Sequence, residues 1–136
     1  MEEFTRSLFM KILVVDDDKM MLETIAHSLK ADGYEIITAA DGVKALEIIE
    51  EKELNLIISD IMMPNMSGLG LLSIMKQFYY NRIPVILISS LDKGEIILSA
   101  LGMGAEDFIV KPLNFTELSL RVKKVLNNQE KPKETT

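Results

Sequence analysis

Apolar residues along the chain follow two rhythms. Ile12–Val15, Leu56–Ser59 and Pro84–Ile88 are short runs of Val, Ile and Leu with almost no polar face, as in strands buried on both sides. Glu35–Ala39 and Asp107–Val110 are two further strand-like runs. Between them the period lengthens to that of a helix. Leu22, Ile25, Ala26 and Leu29 mark one face of a helix over Lys19–Ala31. Leu46, Ile48 and Ile49 do so over Val43–Glu51, and Leu118, Val122 and Val125 over Phe115–Asn127. Gly68–Phe78 and Lys93–Gly102 complete the alternation. Asp32-Gly33 and Asp41-Gly42 punctuate it, and Asn114 with Glu117 has the form of a capping box. The repeated strand-helix order predicts an α/β fold: a doubly wound, five-stranded parallel sheet with right-handed crossovers and helices on both faces.

Length and composition narrow the class. A chain of 136 residues suits one domain, read here as residues 10–127. Residues 1–9 form an extension, because Met10-Lys11-Ile12 would itself make a natural chain start. Residues 128–136 are polar and read as a flexible tail or the start of a linker. Without cysteine there are no disulfides and no thiolate metal sites, and His27 alone cannot build a zinc site. It reads as an ordinary helix residue. A net charge of −6 argues against non-specific nucleic-acid binding by this domain. No apolar run is long enough to cross a membrane, and Met1–Leu8 is not a secretion signal, so cytoplasm is the expected compartment.

Chemistry gathers at the ends of the predicted strands. Asp16-Asp17-Asp18 follows the first, Asp60 the third, Ser89-Ser90 the fourth and Lys111-Pro112 the fifth. In a parallel sheet those ends share one edge, and ligands bind there at the topological switch point. Acids after the first and third strands put that point between them, which predicts the strand order 2-1-3-4-5. Singly, each residue has a bland reading. The acidic run can cap the first helix, with Asp18 a cap in any case, and Ser89-Ser90 can cap the fourth. Asp60 can be a loop acid before Pro64, and Lys111 a solvated lysine. Coincidence of all four on one edge favours a site.

Such a site suits a hard divalent cation and a phosphoryl group. Mg²⁺ takes oxygen ligands and keeps several waters. Asp17 and Asp60 offer carboxylates, Asp16 can hold a coordinated water, and the Met62 backbone carbonyl adds an oxygen. Clustered acids repel, so Lys111 is the candidate internal counter-ion. Ionised Asp60 is the candidate nucleophile at phosphorus. Lys111 and the Ser89 hydroxyl would then meet the phosphoryl oxygens, which is positioning plus electrostatics.

At these residues the chain resembles the receiver domain of two-component response regulators. The matching stretches are Ile12–Asp18, Ile58–Gly68, Pro84–Ser90 and Gly104–Pro112. The intervals match as well: 43 residues from Asp17 to Asp60, 29 on to Ser89 and 22 on to Lys111. The resemblance spans about Met10 to Asn127 and implies the flavodoxin-like (βα)5 fold. By that resemblance Asp60 is the phosphoacceptor, and Asp16 and Asp17 are the acidic pair that holds Mg²⁺. Ser89 is the switch hydroxyl, Lys111 the phosphate-binding lysine and Phe108 the switch aromatic. The Lys111–Pro112 bond is expected to be cis. Two positions depart from the family's usual pattern. Ser67 stands where Asp often precedes the glycine of the third helix, and Phe108 lacks a hydroxyl.

The resemblance also sets expectations for partners and mechanism. The phosphodonor is a sensor histidine kinase or a histidine phosphotransfer protein, since His27 is misplaced to serve. The output is a downstream target protein or a fused output domain, reached by a phosphorylation-driven inward turn of Phe108 that reshapes the face of the fourth helix, fifth strand and fifth helix. Ile97 and Leu101 are either a partner patch on that face or core. Asp107 and Arg121 can pair across a dimer, but Ser99 stands where a base is common, so the resting chain is expected to be a monomer. Met62 and Leu91 flank the path of the hydrolytic water and exclude it, which predicts slow loss of the phosphoryl group. The chain is not expected to be an enzyme. A haloacid-dehalogenase-type phosphatase needs an acid where Met62 stands, and a flavodoxin needs an uncharged phosphate loop where Asp16-Asp17-Asp18 stands. The alternative is a phosphorylation-independent pseudo-receiver acting as a docking module.

Overall fold

The computed structural model describes residues 10–79 and 83–130. Five strands and five helices alternate. The strands are β1 (Lys11–Val15), β2 (Glu35–Ala39), β3 (Leu56–Asp60), β4 (Val85–Ser89) and β5 (Asp107–Val110). The helices are α1 (Lys19–Ala31), α2 (Gly42–Glu51), α3 (Gly68–Tyr79), α4 (Gly94–Gly102) and α5 (Phe115–Glu130). All strand pairs are parallel, in the order β2-β1-β3-β4-β5. That is the flavodoxin-like order expected from the chain.

Helices cover both faces, which explains why β3 and β4 carry no exposed residue. One core joins Leu13, Val15, Ile57, Leu87 and Phe108 to α2, α3 and α4 through Ala45, Leu71, Leu72, Met75 and Ala100. The other joins Ile12, Val14, Ile58, Ile86 and Ile109 to α1 and α5 through Ile25, Leu29, Leu118 and Val122. Alternation along each strand divides the residues between the two.

Local capping fixes the helix starts nearest the site. Asp18 accepts hydrogen bonds from the Met20 and Met21 amides and opens α1. Asp41 accepts from Lys44 N–H at α2, and Ser67 Oγ from Gly70 N–H at α3. Asn114 accepts from Glu117 N–H at 2.9 Å, but the Glu117 carboxylate turns to Arg121 at 2.6 Å rather than closing a capping box. Helix α5 runs to Glu130, three residues past the expected end. The expected extension (1–9) and the last residues of the expected tail (131–136) lie outside the described residues.

Candidate functional site

Strands β1 and β3 are neighbours, yet their crossovers pass to opposite faces of the sheet, so a crevice opens between their carboxyl ends. Asp16 stands directly after β1, and its amide donates to the carbonyl of Ala39, the last residue of β2. It is buried at 2% exposure, and its Oδ1 accepts the Asp18 amide at 2.9 Å. Asp17 is exposed at the rim. Asp60 is the last residue of β3, paired with Ile88 of β4, rather than a loop residue after it. Asp16, Asp17 and Asp60 each bring a carboxylate oxygen to within 4.8 Å of the other two. Three hard oxygens at that separation fit a divalent cation with waters completing the shell.

Lys111 reaches the same point from the end of β5. Its Nζ lies 3.4 Å from Asp16 Oδ2 and 3.6 Å from Asp60 Oδ2. Burial pushes the Asp60 carboxyl above its ordinary range, with the Asp16 charge acting the same way, while Lys111 and the Ile61 amide pull it down. Desolvation is the largest influence, so Asp60 holds its proton more tightly than a surface aspartate. Ser89 ends β4 and is fully buried; its Oγ accepts the Leu91 amide at 3.1 Å. The Lys111–Pro112 peptide is cis.

Some expected residues stand differently. Phe108 is already inside, 7% exposed and packed in the core with Leu87. The ring thus already occupies the inward position at which the expected turn would end: without a hydroxyl to keep wet, it gains by burial. Arg121 bonds Asp107 at 2.7 Å and Glu117 at 2.6 Å, so this charged pair is satisfied within one chain. Ile97 packs against the core, whereas Leu98 (72%) and Leu101 (42%) are the exposed apolar residues of α4. Met62 is 60% exposed. His27 is an exposed residue of α1.

Gly68 matters more than its place at a helix start suggested. A Cβ there would overlap the Asp60 carbonyl oxygen, and its amide donates to Ile61 O at 2.9 Å. Asn65 takes φ 71° in the connecting loop, a conformation that Asn tolerates better than most residues. The signals in the sequence were Asn65 after Pro64 and a glycine soon after an acid.

The response regulator receiver domain family model matches residues 12–123. The chain is 36% identical over 122 residues, 90% of its own length, to the "Probable transcriptional regulator ycf27" of Cyanophora paradoxa. It is 33% identical to the alkaline phosphatase synthesis transcriptional regulatory protein PhoP of Bacillus subtilis, over 88% of the chain. It spans about half the length of these curated relatives, 50% of each. Among solved structures, the Francisella response regulator 1452 receiver domain is 34% identical at a TM-score of 0.85, with 88% of this chain and 98% of that one covered. TrrA of Thermotoga maritima, solved in complex with Mg²⁺-BeF, is 35% identical at a TM-score of 0.78, covering 87% and 100%. Fold, strand-end residues and these likenesses agree: the chain belongs to the response regulator receiver domain family.

Proposed function

We propose that this receiver accepts a phosphoryl group on Asp60 in a Mg²⁺-dependent reaction and passes the change to a partner or output domain. The observation that carries the reading is the convergence of Asp16, Asp17, Asp60 and Lys111 at one strand edge: three carboxylates within 4.8 Å of one another, with the Lys111 ammonium ion-paired to Asp16 and Asp60. Asp16, Asp17 and Asp60 would hold Mg²⁺, with the Met62 carbonyl as a further oxygen. When bound, the cation offsets charge on the phosphoryl oxygens and on the acids themselves.

The chain's own groups do the rest. Asp60 attacks phosphorus with a carboxylate oxygen. An O–P bond forms, the bond from phosphorus to the donor's imidazole nitrogen or acyl oxygen breaks, and the donor keeps the electron pair. Lys111, already between Asp16 and Asp60, turns its ammonium to a phosphoryl oxygen. Ser89 Oγ, now accepting from Leu91 N–H, donates its proton to another. The donor is a sensor histidine kinase or a histidine phosphotransfer protein. The domain catalyses only its own phosphoryl transfer and loss and does not turn over free substrates.

Output runs through α4, β5 and α5. Movement of Ser89 drags the β4–α4 loop through Leu91 and acts on a Phe108 ring that is already inside. The switch thus selects among packings of α4 and does not wait for the ring to enter. Leu98 and Leu101 are the apolar groups that a target or fused output domain would cover. The resting chain is a monomer, with Arg121 held by its own Asp107 and Glu117.

Beryllofluoride with Mg²⁺ tests the reading. The amides of Asp60, Ser89, Leu91 and the α4 residues should shift in NMR spectra only when both are present. An unshifted spectrum from a folded protein would leave a phosphorylation-independent docking module.

A further inference from the structure

The wall behind Asp60 is built by groups that never reach the acids. Its carbonyl oxygen accepts Ser59 Oγ–H at 2.9 Å and lies against Gly68. Gly68 N–H closes the β3–α3 loop onto Ile61 O. The outer edge of that loop is Met66. A Cβ on Gly42 would stand 2.8 Å from Met66 Cβ and 3.1 Å from its Cγ and Sδ. A Cβ on Gly70 would stand 3.4 Å from Met66 Cγ. Met66 therefore packs against the core with its outer side on two glycines, Gly42 of α2 and Gly70 of α3. Gly42 closely follows Ala39, whose carbonyl receives the Asp16 amide. One methionine thus ties the loop that follows Asp60 to the turn that anchors Asp16.

We infer that Met66 is a positioning residue for the cation site: seated on Gly42 and Gly70, it fixes Asp60 and the Met62 carbonyl relative to Asp16 and Asp17. The inference rests on the Mg²⁺-dependent reading above. Mg²⁺ demands near-octahedral geometry at short distances and tolerates little drift of its ligands. Residues that hold ligands from behind commonly matter by about tenfold or more in metal affinity. If Met66 only filled space, its loss would lower stability and leave the affinity alone.

The test compares Gly42→Ala, which pushes on Met66 from α2, with Val125→Ala, which opens the opposite core. Mg²⁺ titration of the full chain, followed by the NMR shifts of the Asp17 and Ile61 amides, gives the dissociation constant. Thermal unfolding of the metal-free chain gives stability. Gly42→Ala should weaken Mg²⁺ binding about tenfold or more, while Val125→Ala, at a comparable fall in Tm, should leave it unchanged. In the metal-free protein the Gly68 amide should exchange with solvent faster in Gly42→Ala than in wild type. Met66→Gly removes the three atoms nearest to the new methyl. It should weaken binding by itself, and adding Gly42→Ala to it should cost no more than about twofold further. If Met66→Gly or Gly42→Ala fails to fold, Met66→Ala alone carries the test and should still weaken Mg²⁺ binding. Wild-type affinity in Gly42→Ala and in the Met66 variants would overturn the inference while leaving the proposed function standing. A wild-type protein that does not bind Mg²⁺ would overturn both.

Discussion

Lys111 and Asp60 meet across the width of β4, Nζ to Oδ2 at 3.6 Å, and the same ammonium lies 3.4 Å from Asp16. Lys111 follows β5, Asp60 ends β3, and Ser89 ends the strand between them, with its carbonyl accepting the Lys111 amide at 2.8 Å. One partly buried cation is shared by two buried acids, so the metal-free site carries its own partial neutralisation.

Removing that cation isolates the acids. Lys111→Met should destabilise the metal-free protein by about 3 kcal/mol, since a buried charge loses its partner. Mg²⁺ should then recover more stability for the variant than for wild type, because no ammonium competes for Asp16 and Asp60. Urea unfolding with and without Mg²⁺ checks both points. An equal gain in the two proteins would mean that Lys111 does not share the cation's ligands.

The raised Asp60 carboxyl has a definite sign in stability. Its folded-state pKa exceeds its unfolded one, so the folded state binds the proton more tightly. Stability from this group is present below the unfolded pKa and is lost as pH rises through the folded pKa. Asp60→Asn removes the loss. Its Tm should exceed that of wild type at pH 7 without Mg²⁺, and the gap should close as pH falls towards the ordinary value of 3.8. Added Mg²⁺ should raise the wild-type Tm, by about 2.7 kcal/mol of stability at a hundredfold excess over Kd, and barely move Asp60→Asn. A gap that widens in acid would contradict the assignment.

Met62 is 60% exposed two residues past Asp60, and Leu91 is half-buried two past Ser89. Neither side chain orients a water. Met62→Asn offers an amide that does, and the phosphorylated protein should lose its phosphoryl group several-fold faster in a decay series at fixed Mg²⁺. An unchanged decay rate would remove water exclusion from the account.

The α4 helix divides its apolar residues between core and surface. Ile97→Ala should cost about 2 kcal/mol, because the side chain is partly buried and packs against the core beneath α4. Leu98→Ala, at a residue 72% exposed, should change stability by less than about 0.5 kcal/mol. Equal costs in denaturant unfolding would show that Leu98 is not free for a partner.

Much of this was legible in the chain. Val/Ile-rich runs fixed β1, β3 and β4 because strands buried on both faces leave no alternative pattern. The switch point followed from where the acids fall. Less legible was the last strand residue: Asp60 and Ser89 look like strand terminators, yet both sit in the ladder, paired with Ile88 and Val110. The end of α5 is not legible, because its last residues are polar and offer no apolar period to read. The buried position of the Phe108 ring is not legible either, because a side chain's rotamer depends on the packing around it. The seat of Met66 on Gly42 was invisible for a plainer reason: the need for that glycine arises from a side chain 24 residues away.

The central claim is tested most directly by incubating the full chain with acetyl phosphate and measuring its intact mass, with and without Mg²⁺, beside Asp60→Asn. The account predicts one added phosphoryl group that requires Mg²⁺, maps to Asp60 and is absent from the variant. A folded wild-type protein that gains no mass, or an Asp60→Asn variant that gains as much, would contradict it.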